Sequence, residues 1–269
     1  MKILKKIGKW FVGTIAVLYL IICVGMYFIQ EKILFHPKKL EANYVFNFDQ
    51  KFEELNIPAE DGKKINGLLL KCDSAKGLVF YLHGNAGALD TWGEIGKKYA
   101  AVNYDIFILD YRGFGKSEGE ITNEKQFYSD VQCAYNQLKK RYSENNIVII
   151  GYSIGTGPAA MLASENNPKL LVLQAPYYSI VDMMQHTYPF LPDFLLKYKF
   201  LTCDFVRKTK APVLVFHGTS DKVIYYGSSV KLKEHFKPGD KLVTLDGAGH
   251  NSLGNNPQLI EEMKQVLAR

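Results

Sequence analysis

The sequence predicts an α/β fold, a mostly parallel sheet of eight strands flanked by helices and preceded by a transmembrane helix, and three observations predict it. Strand-like apolar runs alternate with helical patterns along most of the 269 residues, as in chains whose helices cover both faces of a parallel sheet. An uncharged stretch from Trp10 to Gln30 would, as a helix, cover about 30 Å of hydrocarbon. The third observation is Gly151-Tyr152-Ser153-Ile154-Gly155, set between the apolar run Asn146 to Ile150 and the small residues Thr156 to Ala163. A strand that turns sharply into a helix strains its corner residue, and glycines two positions either side remove colliding side chains. Ser153 would stand at that corner.

The chain is 47% hydrophobic and 22% charged, which suits one sizeable core and carries no disordered or fibrous bias. Residues 1–30 are read as a basic segment and anchor, 31–43 as a connector and 44–269 as the folded domain. Lys2, Lys5, Lys6 and Lys9 precede the apolar stretch, whereas Lys32, Lys38 and Lys39 follow it together with Glu31 and Glu41. The positive-inside rule then places the N-terminus in the cytoplasm and the domain on the other side. A cleaved signal peptide is the rival reading, against which stand the length of the apolar stretch and the lack of an A-x-A-like site. Leu20-Ile21-Ile22-Cys23 faintly resembles a lipoprotein box, but Ile22 is large where a small residue is required.

Residues 1–42 carry +5 of the net charge of +6, leaving the domain nearly balanced at 26 basic against 25 acidic residues. Nucleic-acid binding, which needs a basic patch within the domain, is not expected; the basicity suits lipid headgroups. Cys72, Cys133 and Cys203 are widely spaced, which fits neither a zinc motif nor a disulfide framework and leaves them as small buried residues.

Strands are expected at Phe52 to Ile57, Ile65 to Lys71, Leu78 to Leu82, Ile106 to Leu109, Ile147 to Ile150, Leu170 to Leu173, Val213 to Phe216 and Leu242 to Leu245. Helical patterns occupy Thr91 to Ala100, Glu124 to Arg141, Gly155 to Glu165, Gly227 to Phe236 and Gln258 to Leu267. Active groups of such a fold gather at the C-terminal ends of the parallel strands. Between the sixth and seventh strands, Ala175 to Lys210 is dense in Tyr177, Tyr178, Tyr188, Phe190, Phe194, Tyr198, Phe200 and Phe205. It reads as a cap over the site, with an extension of the core as the other reading.

If Ser153 is a nucleophile it needs a base, and His250 follows both Ser153 and the last strand on a loop of small residues, Gly247-Ala248-Gly249. Asp221, just after the seventh strand, is the acid that would orient that imidazole, and Asp182 is its competitor. An oxyanion would be held by the backbone N–H groups of Ile154, after the nucleophile, and Asn85, in the glycine loop His83 to Gly87. His83 and His217 read as structural, His186 as part of the cap and His235 as lying on an exposed helix. The loop Asp110-Tyr111-Arg112-Gly113-Phe114-Gly115-Lys116-Ser117 either lines the pocket or braces its own glycine turns through an Asp110/Arg112 pair.

These pieces, with Leu34-Phe35-His36-Pro37 after the anchor, make the chain from about Phe35 onward resemble the α/β-hydrolase fold, in particular its membrane-anchored abhydrolase branch of esterases, lipases and depalmitoylases. The resemblance implies a serine hydrolase that cleaves carboxylic esters or thioesters through an acyl-enzyme, with no metal or cofactor. The cap and the anchor add the expectation of an apolar or lipid-like acyl group and of membrane lipids as surroundings. A serine peptidase of the same fold and a non-catalytic membrane scaffold are the alternatives.

Overall fold

The computed structural model describes residues 2–268. Among them, eight strands form the main sheet: β1 (Phe52–Pro58), β2 (Lys64–Leu70), β3 (Leu78–Leu82), β4 (Asp105–Leu109), β5 (Ile147–Tyr152), β6 (Leu170–Gln174), β7 (Val213–Gly218) and β8 (Lys241–Leu245). Their order across the sheet is β8-β7-β6-β5-β3-β4-β2-β1. All neighbours from β8 to β4 pair in parallel, while β2 runs antiparallel to both β4 and β1. The sheet is therefore mixed by one reversed strand. β1 and β2 can pair antiparallel because only Ala59 to Lys63 separates them, too few residues for a parallel crossover.

Every residue of β3, β4 and β6 is buried, which continuous apolar runs require when helices cover both faces. Alternation assigns the side chains to two layers. Phe80, Leu82, Phe107, Leu109, Ile149 and Leu173 pack under α4 (Glu124–Lys139), α5 (Thr156–Glu165) and α7 (Thr202–Lys208). Val79, Tyr81, Ile106, Ile108, Ile150 and Val172 face the opposite way, toward Leu89, Tyr99 and α9 (Pro257–Ala268). The edge strands β1 and β8 carry Glu53, Glu54 and Lys241 on partly open backbone, charges that discourage strand addition there.

The helix expected from Thr91 to Ala100 is instead broken into α2 (Leu89–Trp92), a 3₁₀ turn (Gly93–Ile95) and α3 (Gly96–Ala100). Glycine stands at both joints, where neighbouring side chains pack close to the backbone. A Cβ on Gly93 would lie 2.3 Å from the Phe48 ring, and one on Gly96 would lie 2.8 Å from a Leu70 methyl. The cap holds α6 (Ile180–Thr187), a 3₁₀ turn (Asp193–Leu195) and α7, and the stretch Gly227 to Phe236 divides into α8 (Gly227–Leu232) and a 3₁₀ turn (Lys233–His235).

The apolar N-terminal stretch lies within one long helix, α1 (Lys2–Leu34), of which Leu4–Leu34 is long and apolar enough to cross a membrane. Its end is joined to the domain at once. Phe35 is buried against Phe127 and Tyr198, and His36–Pro37 forms a short parallel ladder with Ala86–Gly87. Lys38 and Leu40 then exchange backbone hydrogen bonds with Gly115. The connector thus runs as an extended strap between the loops after β3 and β4.

The charged pairs around the Asp110 to Ser117 loop differ from the one the sequence suggests. Asp110 and Arg112 do not pair with one another. Arg112, side chain 4% exposed, forms a two-pronged bond to Asp130 (2.5 and 2.8 Å) and a second to Asp61 (2.6 and 2.9 Å). Asp110 turns inward, 3.5 Å from His83, and accepts the Leu89 N–H. Asp110 is taken up by His83 and the Leu89 N–H and Arg112 by the two carboxylates, so the two side chains do not meet. Of the domain cysteines only Cys203 is buried; Cys72 and Cys133 are half-buried, and all three thiols are free.

Arg112→Leu leaves the buried Asp130 without its counter-charge, and should cost about 3 kcal/mol at pH 7. Burial pushes the Asp130 carboxyl up in spite of Arg112, so without the guanidinium it takes up a proton more readily as pH falls. Chemical unfolding of the full chain in detergent should show the largest loss at neutral pH and a smaller one near pH 4. An equal loss at both would assign the effect to packing.

Candidate active site

β5 ends at Tyr152 and the chain turns at once through a 3₁₀ turn (Ser153–Gly155) into α5. Ser153 has φ of 55°, the left-handed region that costs a residue with a side chain roughly 1–3 kcal/mol. The flanking glycines make the turn possible. A Cβ on Gly151 would lie 2.5 Å from the Gly155 carbonyl oxygen, and one on Gly155 would lie 2.2 Å from that of Leu82. The elbow is thus wedged against the end of β3. The turn is closed by the Thr156 hydroxyl, which donates to the Ser153 carbonyl at 2.7 Å.

His250 reaches this corner from the loop after β8. Its Nε2 lies 2.9 Å from Ser153 Oγ, and its Nδ1 lies 2.7 Å from Asp221 Oδ2. A carboxylate only accepts, so Nδ1 carries the ring proton and Nε2 presents its lone pair to the Ser153 hydroxyl. Burial alone would raise the Asp221 carboxyl. Contacts from His217 and His250 and the Ile224 N–H outweigh it and hold the group well below the ordinary carboxylate range. The other oxygen of Asp221 accepts from Val223 and Ile224 N–H at 2.8 and 2.9 Å.

The remaining histidines stand apart from Ser153. His217 is fully buried, donates from Nε2 to the Ile224 carbonyl at 2.9 Å and meets the Ser229 hydroxyl at 2.6 Å. The same Nε2 lies 3.4 Å from Asp221, so His217 backs the carboxylate that faces His250. His83 donates to the Gly84 carbonyl at 2.6 Å. His186 stacks on Tyr225, and His235, half-buried rather than exposed, meets the Tyr178 hydroxyl at 3.0 Å. Asp182 is engaged by Lys231 and by the Tyr225 hydroxyl, away from His250.

The loop after β3 is braced from below and outside. The Tyr111 hydroxyl donates to the His83 carbonyl at 2.8 Å, while the Asn85 carbonyl accepts the His36 N–H of the strap at 2.8 Å. Asn85 and Ser153 border two cavities in common. The larger, about 610 Å³, is lined by Tyr81, Trp92, Tyr152 and His250, with Glu94, Lys98 and Lys264 among its bordering residues. The smaller, about 280 Å³, lies between the cap and α1 and is lined almost wholly by apolar side chains, with Ile154 at its floor.

The cap does sit beside Ser153, but its aromatics mostly do not. Tyr198 and Phe200 are buried in the core, and Phe190 and Phe194 point outward. Of the aromatic cap residues, Tyr177 and Tyr188 border the smaller cavity, whose walls are otherwise aliphatic and methionine-rich: Ile180, Met183, Met184, Leu191, Leu195 and Leu196. Aromatic density in the sequence therefore marks the support of the cap more than the lining. The sequence reading also missed α1, whose Met26, Gln30, Ile33 and Leu34 border the same cavity. The available signal was Gln30, an amide at the end of an apolar run, which the structure buries.

A parallel sheet with one reversed strand, a strained serine at a strand–helix elbow and a histidine returning from the last strand define an α/β-hydrolase. Residues 73–204 match the family described as "Serine aminopeptidase, S33". The chain is 31% identical over 215 residues to α/β hydrolase domain-containing protein 17B of Homo sapiens, covering 77% of this chain and 72% of that protein. Among solved structures, an esterase of Pyrococcus furiosus superposes with a TM-score of 0.68 at 21% identity, over 86% of this chain and 98% of that one. An acetyl xylan esterase of Paenibacillus sp. R4 superposes with 0.68 at 18% identity, over 83% and 87%. The chain belongs to the α/β-hydrolase domain-containing proteins and is a hydrolase.

Because the Asp221 carboxyl is held below its unfolded value, it contributes stability that is present above about pH 4 and is lost as pH falls further. The stability advantage of the natural chain over Asp221→Asn should therefore be largest near neutral pH and shrink from about pH 4 downward, read by unfolding across a pH series. A gap that does not change with pH would mean that the charge of Asp221 contributes nothing to the fold.

Proposed function

We propose that this hydrolase cleaves carboxylic esters or thioesters with apolar acyl groups, using Ser153 as nucleophile, His250 as general base and Asp221 as the group that orients it. The observation that carries the reading is the continuous line of contacts from Asp221 Oδ2 through both ring nitrogens of His250 to Ser153 Oγ. In this scheme His250 Nε2 takes the hydroxyl proton as Ser153 Oγ bonds to the acyl carbon. The charge on the carbonyl oxygen is met by the Ile154 and Asn85 N–H groups. The imidazolium, stabilised by Asp221, then protonates the departing oxygen or sulfur as its bond to the acyl carbon breaks. Water, giving its proton to His250, releases the acid by the same route.

The two cavities divide the substrate. His250 must protonate the leaving group, and it borders the larger cavity but is not among the residues bordering the smaller one. The leaving group is therefore assigned to the larger cavity, where Lys98 and Lys264 are near, and the acyl chain to the smaller apolar one. This partition also weighs against aminopeptidase action, the activity in the description of the matching family. Such an enzyme must bind a substrate ammonium, yet among the described residues Glu94 is the one carboxylate bordering either cavity, and it pairs with Lys97.

We further propose that α1 anchors the chain as a single-pass signal-anchor, with the lysines before it in the cytoplasm and the catalytic domain on the other side of the bilayer. Alkaline extraction should leave the protein in the membrane fraction.

Ser153→Ala should abolish turnover and fluorophosphonate labelling while leaving the chain folded; a variant that still hydrolyses esters would remove Ser153 from the reaction. His250→Ala should lose about 10⁴-fold or more in kcat, and Asp221→Asn should be impaired where Asp182→Asn is not. Across an ester series from acetate to palmitate, with micelle formation controlled, kcat/KM should rise several-fold per added CH₂, each contributing about 0.8 kcal/mol, until the cavity is filled. A steady fall from acetate onward would replace the lipid-directed reading with that of a short-chain esterase.

A further inference from the structure

The acyl cavity is built as a cleft between two helices. From α1 it takes Met26, Gln30, Ile33 and Leu34, and from α6 it takes Ile180, Met183, Met184 and Thr187. Spacings of four, three and one residues in one helix and three, one and three in the other put each set on a single helical face. The two faces look at one another across the cavity, with Ser153 and Ile154 at its inner end. No Asp, Glu, Lys or Arg is among the described lining residues.

What joins the helices also fixes their place in the bilayer. Gln30 Nε2 donates to the Leu195 carbonyl at 2.7 Å and its oxygen accepts the Lys197 N–H at 2.9 Å, so the amide staples α1 to the cap. Glu31 adds an ion pair to Lys197 at 3.1 Å. Farther up α1, the Tyr19 hydroxyl donates to the Phe190 carbonyl at 2.7 Å, and Cys23 is buried with Met184 and Leu191. Tyr19 lies near the middle of the uncharged stretch Trp10 to Gln30. The cap beside the cleft therefore stands at a depth set by the spanning segment, and it is apolar and outward-facing there: Phe190 and Phe194, next in the chain to the lining residues Leu191 and Leu195, are 58% and 80% exposed. Apolar exposure this continuous with a membrane helix is suited to acyl chains, not water.

We infer that the cleft between α1 and α6 is a lateral entrance, through which an acyl chain passes from the surrounding lipid leaflet to Ser153 with the anchor helix as one wall. The inference rests on the ester-hydrolase reading for what happens at Ser153 and on the anchor reading for the lipid around α1, which adducts on Val17 and Ile21 read separately. α1 is on this account part of the binding site as well as the tether. Lipid held in the leaflet reaches the serine without its chain crossing water, which spares the cost of about 0.8 kcal/mol for each exposed CH₂.

The test uses the full chain carrying Ser153→Ala in phosphatidylcholine vesicles that include a phosphatidylcholine with a diazirine at the end of one acyl chain. After photolysis, adducts are mapped by mass spectrometry. Adducts are expected on Met26 or Ile33 and on Met183 or Met184, in addition to lipid-facing Val17 and Ile21. With Met184→Trp added, the indole should fill the cleft and lower the adducts on Met26 and Ile33 at least fivefold, while those on Val17 and Ile21 stay constant. Adducts confined to Val17, Ile21 and their neighbours, with the cleft residues unlabelled before any plug is added, would overturn the entrance. Fluorophosphonate labelling of the natural chain in the same vesicles reads Ser153 separately, so loss of that labelling with cleft adducts retained would sink the hydrolase reading and leave the entrance standing.

Discussion

The close approach of the Ser153 turn to the end of β3 is the constraint on which the rest of the molecule depends. Gly155 sits against the Leu82 and His83 carbonyls, and Gly151 against Gly155 and Ala159. That contact forces φ of 55° on Ser153, and the surrounding sheet has to hold it there. β5 and β3 are adjacent, parallel and buried, and α5 packs directly behind them. The chain runs from β3 to β4 on one side, and β5 lies on the other. This is the reversal in strand order where a crevice opens beyond the strand ends. The elbow and the crevice are thus two consequences of one packing arrangement.

Around that corner, buried polar groups are ordered by partners that are themselves held. Asp221 receives two backbone N–H groups from its own turn and faces two imidazoles. His217 is in turn fixed by Ser229 and the Ile224 carbonyl. His83 and Asp110 form a second buried couple beneath the Asn85 loop, where burial raises the Asp110 carboxyl against the pull of His83. A ring nitrogen and a carboxyl oxygen meet there at 3.5 Å without another hydrogen-bond partner. A single proton on either atom would relieve the repulsion of their lone pairs.

The strap Phe35 to Leu40 links this corner to the apolar helix α1. It hydrogen-bonds the loop that holds Asn85 and the loop that holds Gly115, while Phe35 is sunk among Phe127, Tyr198 and Phe200. Between α1 and the Ser153 corner there is no free tether, so the orientation of the domain relative to α1 is set by packing. The cap adds to this through Gln30, Glu31 and Tyr19.

Much of the fold was legible in the sequence because its signals are local. Apolar runs such as Leu78 to Leu82 and Ile147 to Ile150 can be read within a residue or two as buried strands, and a glycine pair bracketing Ser153 needs a sharp turn whatever surrounds it. The chain order of Ser153, Asp221 and His250 could be read the same way, since each follows a strand end. Contacts between distant segments were not legible. Nothing local tells that Arg112 reaches Asp130 and Asp61 while Asp110 turns to His83, that Tyr198 and Phe200 sink into the core, or that Gly93 and Gly96 break a helix against Phe48 and Leu70. Above all, the 21-residue uncharged stretch Trp10 to Gln30 marks a helix apolar enough to cross a membrane by composition alone, which says nothing of its neighbours. Only the tertiary structure decided that one face of that helix, from Met26 to Leu34, closes a cavity over Ser153, because which face meets the cap is fixed by long-range packing and by the amide of Gln30.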